Sequence, residues 1–204
     1  MNLISIHSIA IDLSNVIARE LKYDNFKKAK ISYGLEVVIG AIIKLIVFTT
    51  IPFWFGVLKQ SLIAMLTIAF MRYASGGIHL KTFNKCLIVS TAVFVSIGML
   101  AKVLVISDYL YYILNVASFL IVVLRAPVDP PEKPIKTKQQ RYVRKIISVI
   151  VLLLLIYISS NTIENDIKNS IILAIYIQVL TLTGWEKTIY KYITQLKLNA
   201  KEVN

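Results

Sequence analysis

Long apolar runs, separated by short basic gaps, constrain this chain more than any other feature. Six runs fall near residues 35–57, 60–75, 87–107, 109–127, 146–160 and 168–185. A helix needs about 20 apolar residues to cross a bilayer. In hydrocarbon the backbone polar groups must be satisfied internally, which a helix does within one segment. The pattern therefore predicts an all-α, polytopic membrane bundle of about six spans. The runs at 60–75 and 146–160 are short, so they are expected to tilt little, to be partly re-entrant or to extend into their flanks. Only Ser107-Asp108 divides the third run from the fourth, which predicts a tight hairpin. Composition agrees: the chain is 57% hydrophobic with mean hydropathy +0.70, against about 45–50% apolar in ordinary soluble domains.

Residues 1–204 are expected to form one integral-membrane domain. It divides into an amphipathic N-terminal region (1–33), a bundle (35–185) and a tail (186–204). In the first region Ile6, Ile9, Ala10, Leu13, Val16, Ile17 and Leu21 recur at helical spacing, with Ser5, Ser8, Asp12, Asn15 and Arg19 on other faces. Such a helix can lie in the inner leaflet interface or pack on the cytoplasmic end of the bundle. No cleavable signal peptide is expected, since the first 33 residues lack a short apolar core followed by a small-residue cleavage site.

The net charge of +12 would suggest nucleic acid in a soluble protein. Here the charges sort by gap, which fits topology and anionic lipid better and argues against a nucleic-acid partner. The N-terminal region carries five Lys or Arg, the second gap three, the fourth gap seven and the tail four. The alternate gaps hold only Lys59, Lys102 and Lys168, and Lys44 lies inside a run. Positive charge stays on the cytoplasmic side. Both termini and the gap after the second run are therefore expected in the cytoplasm. Trp54, Tyr109, Tyr111 and Tyr112 then fall at the outer surface, and Tyr73 and Trp185 at the inner one. Four of the five prolines lie between Arg125 and Pro134, so the fourth span should stop there and continue as an extended, stiff segment.

The gap from Arg72 to Cys86 holds the chain's only cysteine, one of its two histidines (His79) and the Gly76-Gly77 pair. A single cysteine excludes internal disulfides and a multi-thiolate metal site, and His7 and His79 are too few for a zinc site. No metal or cofactor is expected. A thiol and an imidazole together are the parts of a cysteine nucleophile. On one continuous helix the seven residues from His79 to Cys86 would separate them by about 10 Å, too far for proton transfer. A dyad therefore requires the chain to fold back, which glycines at 76 and 77 permit. Thr82 or Asn84 can cap the next helix, and Cys86 then sits in its first turn. The helix dipole there, with Arg72, Lys81 and Lys85 nearby, would favour the thiolate. A lone cysteine in a membrane helix is equally compatible with simple packing, and a lone interfacial histidine with a structural role.

The pattern Arg72-x3-Gly76-Gly77-x-His79-x6-Cys86 resembles that of the accessory gene regulator B (AgrB) family of Gram-positive quorum-sensing systems. The similarity extends over the whole chain: length, amphipathic N-terminus, several spans, and a Pro-rich then basic loop. The resemblance implies a cysteine endopeptidase in the membrane of a Gram-positive bacterium, with Cys86 as nucleophile and His79 as general base and acid. The implied substrate is a short AgrD-like precursor peptide with an amphipathic leader and an acidic C-terminal tail. Removal of the tail through a Cys86 thioester would let a substrate cysteine or serine close a thiolactone or lactone ring. Arg72, Lys133, Lys136 and Lys138 are candidates for holding the acidic tail, and Gly76 and Gly77 for shaping the site. The loop lysines can equally serve only topology and anionic headgroups. Homodimers are the implied oligomer.

Two other classes of function fit the composition. In a small transporter or peptide-export component, Lys44, Asn115 and Gln178 would line a path. A non-catalytic membrane scaffold would use the basic loops to bind lipid or a partner. Asn115 and Gln178 are also candidates for interhelical hydrogen bonds.

Overall fold

A computed structural model describes residues 6–77, 82–128 and 137–184. These form seven α-helices and a terminal 3-10 turn, with no strand among the described residues. The helices are α1 (Ile6–Glu20), α2 (Asn25–Trp54), α3 (Leu58–Ser75), α4 (Phe83–Val103), α5 (Asp108–Arg125), α6 (Lys138–Ser160) and α7 (Asn165–Leu180), the last continued by Thr181–Thr183. Five of them, α2, α4, α5, α6 and α7 with its extension, are long and apolar enough to cross a membrane. The protein is an all-α, multi-pass membrane bundle. The chain divides into two units, Met1–Ile51 and Pro52–Asn204.

Local signals set the boundaries. In the first unit Lys22 adopts the left-handed conformation (φ 50) just past α1, and the Tyr23 N–H returns to the Ala18 carbonyl at 2.9 Å. This is the usual way to close a helix end. Asp24 then caps α2, its Oδ1 accepting from the Lys27 N–H at 3.0 Å. α2 therefore starts ten residues before the apolar run does. Ala10, Ser14 and Ala18 are buried along one face of α1, while Ile9, Leu13 and Val16 are exposed along another. His7 Nδ1 lies 3.3 Å from Glu36 Oε2.

In the second unit α6 begins at Lys138, eight residues before its apolar run, with Thr137 Oγ1 accepting from the Gln140 N–H at 3.2 Å. The run that looked too short thus extends into its basic flank. Ser107 caps α5 through the Leu110 N–H at 3.3 Å. Residues 104–107 are therefore spent on the connection, and α4 ends at Val103.

The centre of this unit is made by α3 and α7. α3 packs on α4, α6 and α7, and α7 packs on all four of its companions α3, α4, α5 and α6. The core joins Met71, Val122, Leu152, Ile171, Ile175 and Val179, contributed by α3, α5, α6 and α7. Lipid is as apolar as a leucine side chain, so close packing rather than escape from water holds such helices together. Small residues permit the approach: a Cβ on Gly98 of α4 would sit 2.5 Å from Ser61 Oγ of α3, and Ser61 donates to the Phe94 carbonyl at 2.9 Å.

α3 leaves Leu66, Phe70 and Tyr73 exposed and turns its polar residues inward. Gln60, Ser61, Thr67 and Ser75 are all buried. Gln60 donates to Asp166 of α7. Nearby, Asn169 of α7 donates to the carbonyls of Ala101 and Leu104, at 3.2 and 2.8 Å. The three basic residues of the sparse gaps lie with them: Lys59 pairs with Glu164 at 2.6 Å, Lys168 with Asp108 at 3.7 Å, and Lys102 donates to the Gly56 carbonyl. Trp54, Tyr109 and Tyr112 are exposed, as a membrane-interface belt requires, but Tyr111 is not. Its hydroxyl reaches Ser160 Oγ at 3.1 Å, and Lys168 Nζ sits 4.4 Å from its ring centre. Tyr111 is a helix-to-helix contact rather than a lipid anchor.

Candidate active site

The candidate site lies at the other end of α3, where the chain leaves that helix. Ser75 is its last residue, and the next two are glycines in backbone regions that side chains disfavour, Gly76 at φ 75 and Gly77 at φ 144. The Gly76 N–H still closes on the Arg72 carbonyl at 2.9 Å. Gly77 is the last described residue before Thr82, so the fold-back expected of the glycine pair lies outside the described residues.

The turn is held by two distant parts of the chain. α5 stops at Arg125 where the prolines begin, and the segment after it comes alongside: the Val128 N–H donates to the Ser75 carbonyl at 2.9 Å, and Val128 pairs with Gly76 as a short parallel bridge. From α7, Gln178 Nε2 donates to the Gly76 carbonyl at 2.9 Å. There is no room for side chains here. A Cβ on Gly76 would come within 2.1 Å of the Val128 carbonyl oxygen, and one on Gly77 within 3.0 Å of Gln178 Nε2 and 3.1 Å of Thr181 Oγ1. Neither Val128 nor Thr181 stood out in the sequence, since an aliphatic and a hydroxyl residue at span ends carry no signal of their own.

Cys86 is the fourth residue of α4, its N–H donating to the Thr82 carbonyl at 3.0 Å. It therefore sits in the first turn, at the positive end of the helix macrodipole. Thr82 precedes the helix in extended conformation but makes no side-chain cap. The thiol is free and half-buried. Its sulfur lies 4.0 Å from Ser90 Oγ, one turn further along. The Arg72 side chain, in the last turn of α3, runs past Gly77 and is close enough to Cys86 for the two to interact electrostatically.

Lys138 is the first residue of α6 and is exposed. His79, Lys133 and Lys136 lie outside the described residues. Among the described residues of the second unit the three carboxylates, Asp108, Glu164 and Asp166, all belong to the end bearing Lys59 and Lys168. Arg72, Lys85, Arg125, Lys138, Arg144 and Lys145 sit at helix ends without a described carboxylate beside them.

Of the other polar residues, Gln178 serves the turn just described. Asn115 and Ser118 lie one turn apart on the buried face of α5, and Asn115 Oδ1 and Ser118 Oγ have no hydrogen-bond partner among the described residues.

Comparison with known proteins identifies the family. The family model for Accessory gene regulator B matches residues 10–182. A protein designated AgrB-like from Clostridium perfringens (strain SM101 / Type A) is 27% identical over 195 residues, covering 91% of each chain. An AgrB-like designated protein of Clostridium acetobutylicum is 27% identical over 168 residues, 80% of this chain and 78% of its own. The accessory gene regulator protein B of Staphylococcus aureus (strain MW2) is 28% identical over 162 residues, 78% of this chain and 84% of its own. No solved structure matches. The chain belongs to the accessory gene regulator B family.

Proposed function

We propose that this accessory gene regulator B family member is a membrane cysteine endopeptidase. It removes the acidic C-terminal tail of a short AgrD-like precursor peptide and promotes cyclisation of the remainder into a quorum-sensing signal. The observation that carries the reading is the position of Cys86: first turn of α4, half-buried, with the Arg72 cation in electrostatic reach. Cationic surroundings and a helix N-terminus are the setting in which a thiol becomes a nucleophile. His79 is the general base and acid. It follows Gly77 by two residues, so its backbone is tethered within about 7 Å of that glycine.

In this mechanism the Cys86 sulfur attacks the carbonyl carbon of the peptide bond before the tail, and His79 accepts the thiol proton. The tetrahedral intermediate collapses, the C–N bond breaks, and His79 delivers that proton to the leaving amine. The tail departs with a free N-terminus, leaving the leader-bearing fragment as a thioester on Cys86. A substrate thiol or hydroxyl then attacks the thioester and Cys86 leaves. This forms the thiolactone or lactone and restores the enzyme thiol. Thioester exchange between thiols is nearly balanced, so exclusion of water from the acyl-enzyme decides whether the ring or a linear acid results.

Arg72 engages the acidic tail close to the chemistry, and Lys133, Lys136 and Lys138 extend the cationic path. The basic helix ends lie on the cytoplasmic side with both termini. The whole chain works as one integral-membrane domain and as a homodimer against anionic lipid. The test is co-expression of the precursor peptide with wild-type, Cys86→Ala and His79→Ala proteins. Wild type shortens the peptide and neither variant does. Shortening by either variant overturns the dyad.

A further inference from the structure

Gln178 is 2% exposed in the last turn of α7. A primary amide buried that deeply in a membrane bundle is costly unless hydrogen-bonded. Its Nε2 partner is the Gly76 carbonyl, 102 residues away. α3 has ended there, so no later turn of the helix can supply a donor to that oxygen. The other connections to the turn, Val128 N–H to Ser75 and the bridge to Gly76, are backbone pairings that many sequences could make. Gln178 is the one described side chain from outside α3 that donates to the turn. Thr181 Oγ1 donates to the Gln178 carbonyl at 2.6 Å, and together the two side chains form the wall against which Gly77 lies.

We propose that Gln178 is a positioning residue for the peptidase reaction. By holding the Gly76 carbonyl it fixes the peptide plane between Gly76 and Gly77. In a trans peptide this turns the Gly77 N–H away from α7. With that plane fixed, Gly77 keeps its place beside Gln178, Thr181 and the Arg72 side chain. Without it, two glycines in sequence have several accessible conformations, and the start of the segment that carries His79 is no longer fixed. The inference rests on the peptidase reading above.

The experiment measures kcat and KM for shortening of the precursor peptide in wild type, Gln178→Leu, Gln178→Met and Cys86→Ala, each normalised to folded, monodisperse protein in detergent. Leucine and methionine both remove the donor, and methionine keeps the length of the side chain. A misplacement of about 1 Å costs about 100-fold in rate. Both Gln178 variants are therefore expected to lose about 100-fold in kcat with KM unchanged, while iodoacetamide still labels Cys86. Unchanged kcat per folded molecule overturns the proposal. So does a raised KM at constant kcat, which would put Gln178 in contact with substrate. Failure of both variants to fold also overturns it, leaving Gln178 a purely structural residue. Failure of wild type to shorten the peptide, or shortening by Cys86→Ala, instead defeats the peptidase reading, whatever Gln178 does.

Discussion

Replacing Gly76 by alanine tests the tight turn most severely. The new Cβ would lie 2.1 Å from the Val128 carbonyl oxygen, where real Cβ contacts stop near 3.0 Å, so the turn or the Val128 segment must move by about 0.9 Å. Both sides of the clash are backbone, and no side-chain rotation relieves it. The backbone at φ 75 and ψ −153 is essentially a glycine region and adds about 1–3 kcal/mol for any residue with a Cβ. The shift also strains two hydrogen bonds, Val128 to Ser75 and Gln178 to Gly76, each worth about 1 kcal/mol. The expected destabilisation is about 3–5 kcal/mol. The expected fall in peptide shortening is about 100-fold, from a displacement near 1 Å. Thermal unfolding in detergent and the shortening rate at a temperature where both proteins are folded would measure the two effects. Gly34→Ala is the comparison: no atom lies within 4 Å of its Cβ and its φ is ordinary. Alanine there should gain about 0.5–1 kcal/mol in helix α2. A Gly76→Ala protein with wild-type stability and rate would refute the close approach of Val128 and everything built on it.

Three further perturbations probe the bundle. Gly98→Leu should force α4 away from Ser61 and Val57 of the preceding segment, destabilising the protein by about 1–3 kcal/mol, seen as a lowered midpoint in thermal unfolding. Asn169→Leu should leave the Ala101 and Leu104 carbonyls without their donor and cost about 1–3 kcal/mol. By contrast Lys59→Ala, which removes an exposed ion pair with Glu164, should cost under about 1 kcal/mol. Equal losses in the two would contradict the separation of buried from exposed polar contacts at that end.

Hydropathy revealed the helical membrane character because lipid exposure demands apolar residues over a whole helix. It located helix ends poorly, because ends are decided by caps. Asp24 and Thr137 start α2 and α6 in polar, basic sequence, where hydropathy reports only that a span has not begun. Ser107 shortens α4 by capping α5. The run at 60–75 looked short for a span, and its helix carries Gln60, Ser61 and Thr67. α4, α6 and α7 pack on that helix, so those groups find protein rather than lipid. Tyr111 misled for a related reason: the residue type suits an interface, and only its partner Ser160 on α6 reveals burial.

At the site, Gly76, Gly77 and Cys86 were legible because a glycine pair and a unique thiol are rare signals. Gln178 was legible as a polar residue in a span but not in its target. A hydrogen bond to a main-chain carbonyl 102 residues away leaves no mark on the sequence of either partner.

The central claim is that Cys86 becomes acylated by the peptide. Intact mass spectrometry of the detergent-solubilised protein, quenched in acid during turnover, reads this directly. Cys86 is the only cysteine, so an adduct assigned to a thioester has a single possible position. The account predicts a mass increase equal to the tail-less precursor less one water, released by neutral hydroxylamine and absent from Cys86→Ala. Tail removal without such an adduct, or an adduct that persists in Cys86→Ala, would contradict it.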